Sequence, residues 1–503
     1  MKPIPPFLCA ILLLAAPIGS LRLYADSAKW NANDGVWSNT ANWNPSTTYP
    51  GLGTATDQIA TFAQTDGLNG LRTVTLDVDA TVAGLVVSGS ASRAYTITTT
   101  TGKKITLASS TDEATVSATG GGGGRILDVE IALDVDRFVL DKIRKLTFQK
   151  SLTAAADRDV TVDFSGSMAF SHSTTDITIF QGANDFGAGT INLSSSAGLR
   201  LSNAGAAGGS RTTIHFTDTA NRTVLDLNTS GTANYGNTVV VDQQALGKIH
   251  MLLSGATNVS RMGKISVLES GSLEVTSWVN GYFSTASQVY LAEGALLLAQ
   301  GDRSHNSAAM TMTLASGASL TGVGTIATAA NGISVNNAIK MEAGTVFAPG
   351  DPATLGATGL FYIGSETYGE SKLTLLGGAT IRFDLAGLQA GDEHDQIRVV
   401  GSSALSISGA NAQFNLLTLD YAYEDEVVLI RFDADATRTG MFAGLAEGAL
   451  VSFGTLGSAE ISYLGGDGND IALIHFQLIP EPGTFGLLAA GLIAAGYYRR
   501  RKK

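Results

Sequence analysis

The stretch Val267-Leu-Glu-Ser-Gly271-Ser-Leu273 returns, with small changes, as Tyr290-Leu-Ala-Glu-Gly294-Ala-Leu296 and Thr313-Leu-Ala-Ser-Gly317-Ala-Ser-Leu320. Lys340-Met-Glu-Ala-Gly344-Thr-Val346 and Thr374-Leu-Leu-Gly-Gly378-Ala-Thr-Ile381 continue the series. Each version is a short apolar strand, a glycine turn and a second short strand. The glycines are 23, 23, 27 and 34 residues apart. A period in the low twenties is about one coil of a parallel β-helix, whose turns stack and share an apolar interior. The glycines are expected at corners that need positive φ. An antiparallel stack of hairpins fits the same intervals, because spacing does not set strand direction. We adopt the all-β reading of a right-handed parallel β-helix with strand-rich caps, since an open end leaves unpaired backbone groups.

Working outward, the composition agrees. Of ten prolines none lies between Gly51 and Ala348, and glycine is high at 59 while charged residues are only 15%. A proline-free stretch rich in Val, Ile, Leu and Thr suits continuous ladders, where proline would remove a donor. The only cysteine is Cys9, inside an amino-terminal segment expected to be removed, so neither disulfides nor thiolate chemistry are expected in the mature chain.

The two ends read as export signals. Met1-Lys2 and the apolar run Phe7–Ile18 have the layout of a secretory signal peptide, with cleavage expected near Ala25. The carboxyl end reads Ile479-Pro480-Glu481-Pro482-Gly483, then apolar Thr484–Tyr498, then Arg499-Arg500-Arg501-Lys502-Lys503. A 15-residue helix there is roughly 22 Å long, short against a hydrocarbon core of about 30 Å. Tyr497, Tyr498 and the arginine stems extend its reach, and the basic cluster holds that end in the cytoplasm. The body then faces outward, as a signal peptide requires. Without residues 1–25 and 483–503 the body keeps 44 acidic against 25 basic side chains. That balance argues against nucleic-acid binding, which needs a basic footprint.

Pro-Glu-Pro outside a short apolar helix closed by a basic cluster resembles the PEP-CTERM sorting signal of Gram-negative bacteria. The resemblance implies processing at Pro480, Glu481 and Pro482 by an exosortase, an integral-membrane cysteine transpeptidase. Two prolines keep that backbone extended and helix-free. Residues 181–193, Gln-Gly-Ala-Asn184-Asp-Phe186-Gly-Ala-Gly-Thr-Ile-Asn-Leu, resemble the autotransporter-associated β-strand repeat. The Trp30–Trp43 region with Thr73–Asp79, and the turn Val346-Phe-Ala-Pro-Gly350-Asp351-Pro352, resemble the same protein group. Asp351 replaces the usual Asn of that turn.

The expected organisation is a signal peptide at 1–25, an N-terminal β region and cap at 26–120, and solenoid repeats at 121–370. A C-terminal β region follows at 371–478, then the sorting signal at 479–503, with its transmembrane helix at 484–498 and basic tail at 499–503. Asp136–Lys150, the most charged stretch, reads as a short amphipathic helix or a long edge strand.

Candidate chemistry is thin. Gly465–Leu473 fits a single calcium nonapeptide, with Asp467 and Asp470 as candidate ligands, but that motif works in tandem, and a tight polar turn is preferred. Asp392-Glu393-His394-Asp395 reads as a solvated acidic turn. His172, His215, His250, His305 and His475 show no paired spacing for a metal. Asp226, Asp242 and Asp384 are candidate carboxylates for polysaccharide cleavage, with nothing in the sequence to bring them together. Trp30, Trp37 and Trp43 suit a sugar platform or, preferably, the core of a cap. The expectation is a non-enzymatic structural or adhesive protein of the cell surface or extracellular matrix, without cofactor. Exopolysaccharide or envelope components are its expected partners. A secreted carbohydrate-binding or polysaccharide-cleaving protein on the same scaffold is the alternative.

Overall fold

A computed structural model describes residues 27–478 and 491–494, except 53–56, 64–69, 90–92, 121–123, 166–176, 196, 230, 252–258, 278–280, 286, 302–309, 329–336, 351–355, 368–370 and 419. The body is a stack of parallel coils with three faces. Strands such as Thr238–Val241, Ile265–Val267, Gln288–Leu291 and Ser319–Gly322 build the first face, a 16-stranded sheet. Leu246–Met251, Ser272–Ser277 and Leu296–Gly301 belong to the second, whose pairings run in one line from Gly35–Val36 to the hairpin of Gly457–Gly465 and Asp470–Leu478. The third face comes in two pieces, of four and eight strands. The expected signal helix at 1–25 and most of the helix at 484–498 lie outside the described residues.

Alternation decides which side chains enter the interior. Ile214, Val239, Ile265, Val289, Leu320, Phe347 and Ile381 face one another rung by rung along the first face, and none is exposed. At about 1.5–3 kcal/mol for each fully buried large apolar side chain, such columns outweigh any single polar contact. The ladders cross the internal boundaries expected at 120/121 and 370/371: Glu113–Ser117 pairs with Arg137–Asp141, and Ala338–Met341 with Lys372–Leu375.

The corners correct the sequence reading. Gly271 and Gly294 lie between the first and second faces, whereas Gly317, Gly344 and Gly378 lie between the third and the first. The interval of 23 residues from Gly294 to Gly317 is therefore a distance between two corners of one coil. Nor is every glycine the left-handed residue: Ser270, at φ 56°, takes that role beside Gly271. At the other corner Gly344 (φ 81°) and Gly378 (φ 89°) do adopt it, and their amides donate to Gly378 and Gly409 carbonyls of succeeding coils at 3.0 and 3.1 Å. Asp136–Lys150 is likewise neither helix nor edge. It supplies Arg137–Asp141 and Leu146–Phe148, strands paired on both sides. Its charge faces outward, with Arg137 bridging Glu113 and Asp163 at 2.9 and 2.5 Å.

Both ends are closed differently. Trp30, Trp37 and Trp43 are fully buried and pack against Phe62, with ring centroids 5.1–6.1 Å apart. Trp37 donates to the Pro50 carbonyl and Trp43 to that of Trp37, each at 2.8 Å. At the far end, Asp470–Leu478 adds antiparallel to Val427–Phe432 and folds back on Gly457–Gly465, which pairs with Leu450–Ser452.

Between the two pieces of the third face, Asn184 takes over from a strand. Its Oδ1 accepts the Leu152 amide at 2.9 Å and its Nδ2 donates to the Ala206 carbonyl at 2.6 Å, linking three coils. Asn184→Ala should lower stability by roughly 2–4 kcal/mol, because two buried backbone groups lose their partners. Hydrogen exchange at Leu152 checks this: its amide should lose protection first.

Candidate functional site

The second face carries a run of buried polar and charged side chains. In register, Arg200 lies opposite Asp226, Asp226 opposite His250, His250 opposite Thr276 and Thr276 opposite Gln300. In an adjacent column Lys248 lies opposite Glu274. These side chains point outward, since Leu225, Ile249, Leu273 and Val275 fill the intervening inward positions. Asp226 is held by Arg200 at 3.1 Å and by His250 Nδ1 at 3.0 Å. Glu274 pairs with Arg222, accepts from Gln300 Nε2 at 2.5 Å and faces Lys248 Nζ at 3.6 Å.

Carboxylates and bases thus converge on one exterior strip, as bond cleavage requires. Yet Asp226, His250, Glu274, Thr276 and Gln300 are all buried. A general acid or base must reach substrate, and here each carboxylate is shielded and already neutralised by cations. The chemistry this arrangement performs is coil-to-coil adhesion. Of the other candidate carboxylates, Asp242 faces His215 at 3.5 Å on the first face. Asp384 accepts from Asn415 at 3.0 Å several coils farther along. The structure does not bring Asp226, Asp242 and Asp384 together.

The acidic run at 392–395 is only half a solvated turn. Asp392 and Glu393 are exposed, but His394 and Asp395 are buried. His394 places Nδ1 3.1 Å from the Gly387 carbonyl and Nε2 3.2 Å from that of Val428, and burial lowers its pKa. Asp395 accepts the amides of Gly359 and Asp384, each at 2.8 Å. Burial pushes its carboxyl up to about 8 from 3.8. The run is an anchor for the loop that precedes Gln396–Val399.

Gly465–Leu473 spans the turn of the terminal antiparallel hairpin, at 466–469, and the start of its second strand. Asp470 is buried and accepts the Phe432 amide at 2.7 Å, while Asp467 is exposed. Among the described residues no cluster of three or more His, Cys, Asp or Glu forms a metal centre. Trp30, Trp37 and Trp43 face the core and offer no platform to solvent. His172 and His305 lie outside the described residues.

Sequence reasoning missed Arg200, Arg222, Lys248, Glu274 and Gln300, and weighed His250 only as a metal ligand. The signal was present in the intervals 200, 226, 250, 276 and 300, which alternate between 26 and 24 residues and so track the coil.

Two expectations follow. Asp226→Ala leaves Arg200 and His250 facing an emptied buried position and should cost about 3–5 kcal/mol, read as a lower denaturation midpoint. Because the folded pKa of Asp395 is raised, its contribution is complete below pH 4. It is lost as pH rises towards about 8, since only the unfolded chain ionises in that window. Melting curves across this range should show stability falling with pH, with a flatter slope in Asp395→Asn.

The sorting residues Pro480, Glu481 and Pro482 and the cluster Arg499, Arg500, Arg501, Lys502 and Lys503 lie outside the described residues. Gly491–Ala494 is helical. Among the described residues no helix is long and apolar enough to cross a membrane. No curated protein matches the chain. The PEP-CTERM protein-sorting motif matches residues 478–502, which implies export, processing by an exosortase and sorting to the cell surface.

Proposed function

We propose that the mature protein is a non-catalytic structural or adhesive component of the cell envelope or exopolysaccharide matrix. The observation that carries the reading is the sorting motif at 478–502 attached directly to a long stack of parallel coils. The segment 484–498 holds the chain in the inner membrane, with residues 499–503 inside, until the exosortase acts at Pro480, Glu481 and Pro482. The occlusion of Asp226 and Glu274 supports the absence of catalysis. The linking role of Asn184, with Phe186 in the core and Gly187 at φ 66°, supports kinship of the coils with autotransporter-associated β-strand repeats.

Mass spectrometry of membrane and culture fractions tests the assignment. The mature protein should lack residues near 1–25 and the apolar tail. Changing Pro480, Glu481 and Pro482 to alanine should leave a full-length tail in the inner membrane. Recovery of an uncut wild-type chain from the cytosol would refute the proposal.

A further inference from the structure

The longer piece of the third face breaks with the acidity of the rest of the body. It is built from Ala233–Asn234, Val259–Met262, Gly281–Thr285, Met310–Leu314, Ala338–Met341, Lys372–Leu375, Ala404–Ser406 and Thr437–Thr439. These eight strands hold four cations and no carboxylate, in a chain where acids outnumber bases 44 to 32. Arg438 is turned onto the Tyr463 ring, 4.7 Å from its centroid. The other three, Arg261, Lys340 and Lys372, alternate with buried Met262, Ile339, Met341 and Leu373 and so face outward.

Parallel register turns this outer side into a track. Arg261, Ser284, Thr313, Lys340, Thr374 and Ser406 lie opposite one another on successive rungs. At about 4.8 Å per rung the six span roughly 24 Å, with Arg261 and Lys340 on the order of 14 Å apart. Every position offers a hydroxyl or a positive charge. Arg261 and Lys340 are exposed, and among the described residues neither has an ion-pair partner. Glu342, two residues beyond Lys340, lies at the corner and accepts the Ser316 amide at 3.2 Å. In the adjoining column Tyr282 is 38% exposed and sits opposite Thr311.

Such a surface suits an extended chain that carries spaced negative charges and many hydroxyls. Lysine and arginine form charge-assisted bonds to carboxylates, and Ser and Thr both donate to and accept from hydroxyls. A lipid surface calls for an apolar face to insert, and this column has none. Nucleic acid needs a denser basic footprint than three cations. We propose that the outer side of this sheet is a docking track for an acidic polysaccharide, a uronate-bearing chain lying along the stack. This deepens, and rests on, the matrix reading above. The acidity of the rest of the body repels such a chain and so confines it to the track.

Affinity electrophoresis of the full-length chain in a non-ionic detergent tests the track. Alginate, a polyuronate, should retard it in the gel, neutral dextran should not, and added salt should abolish the effect. Arg261→Gln with Lys340→Gln should weaken alginate binding about tenfold, the size of two exposed charge pairs. Arg261→Lys with Lys340→Arg keeps the charge and should keep the binding. Lys142→Gln with Arg211→Gln removes the same charge from exposed positions elsewhere and should leave binding unchanged. No retardation of the wild type, or an equal effect of the two glutamine pairs, would overturn the track. So would tighter binding to phosphatidylserine vesicles than to alginate. These outcomes leave the surface assignment standing; that assignment fails instead on an uncut chain in the cytosol.

Discussion

Register between coils is the constraint on which everything else depends. A parallel rung offset by one residue would turn every inward side chain outward, and the unbroken line from Ile214 to Ile381 shows that no such slip occurs. Loops between faces vary in length, but the strands return to the same inward positions. Corner residues serve that return. Gly344 and Gly378 adopt a left-handed backbone and hydrogen-bond to the next corner, so the bend that carries the chain from one face to the next also fixes the height of the coil above it.

The solenoid was legible in the sequence because alternation and glycine turns are local signals. The assignment of each glycine to a corner was not, because three corners share one turn chemistry and only tertiary pairing separates them. Gly294 and Gly317 look like successive repeats and are two corners of one coil. The tryptophans at 30, 37 and 43 were readable as a cap because large aromatic rings close together favour a common interior. His394 was not readable as buried, since its partners are the distant carbonyls of Gly387 and Val428. The sorting signal was the most legible part, being linear and compositional.

The charged strip shows how stacking in a β-helix gathers acids and bases that serve the fold. Stacking puts residues about one coil apart side by side, so a few polar positions in phase form a column of acids and bases. Arg200, Asp226 and His250 arise in this way. Breaking one member is expensive because the remaining charges stay buried. Such a strip fixes register between coils as surely as the apolar column on the opposite side of the sheet, and with more specificity for partner identity.

The ladder also turns reach into a counted quantity. Sixteen strands in the first face, at about 4.8 Å each, make a rod on the order of 70 Å long. The terminal hairpin of Gly457–Gly465 and Asp470–Leu478 seals one tip of that rod and the tryptophan knot the other. Gaining or losing one coil would change the distance between the two seals by a single strand spacing and leave both untouched, so the length of the rod can be tuned by duplication alone.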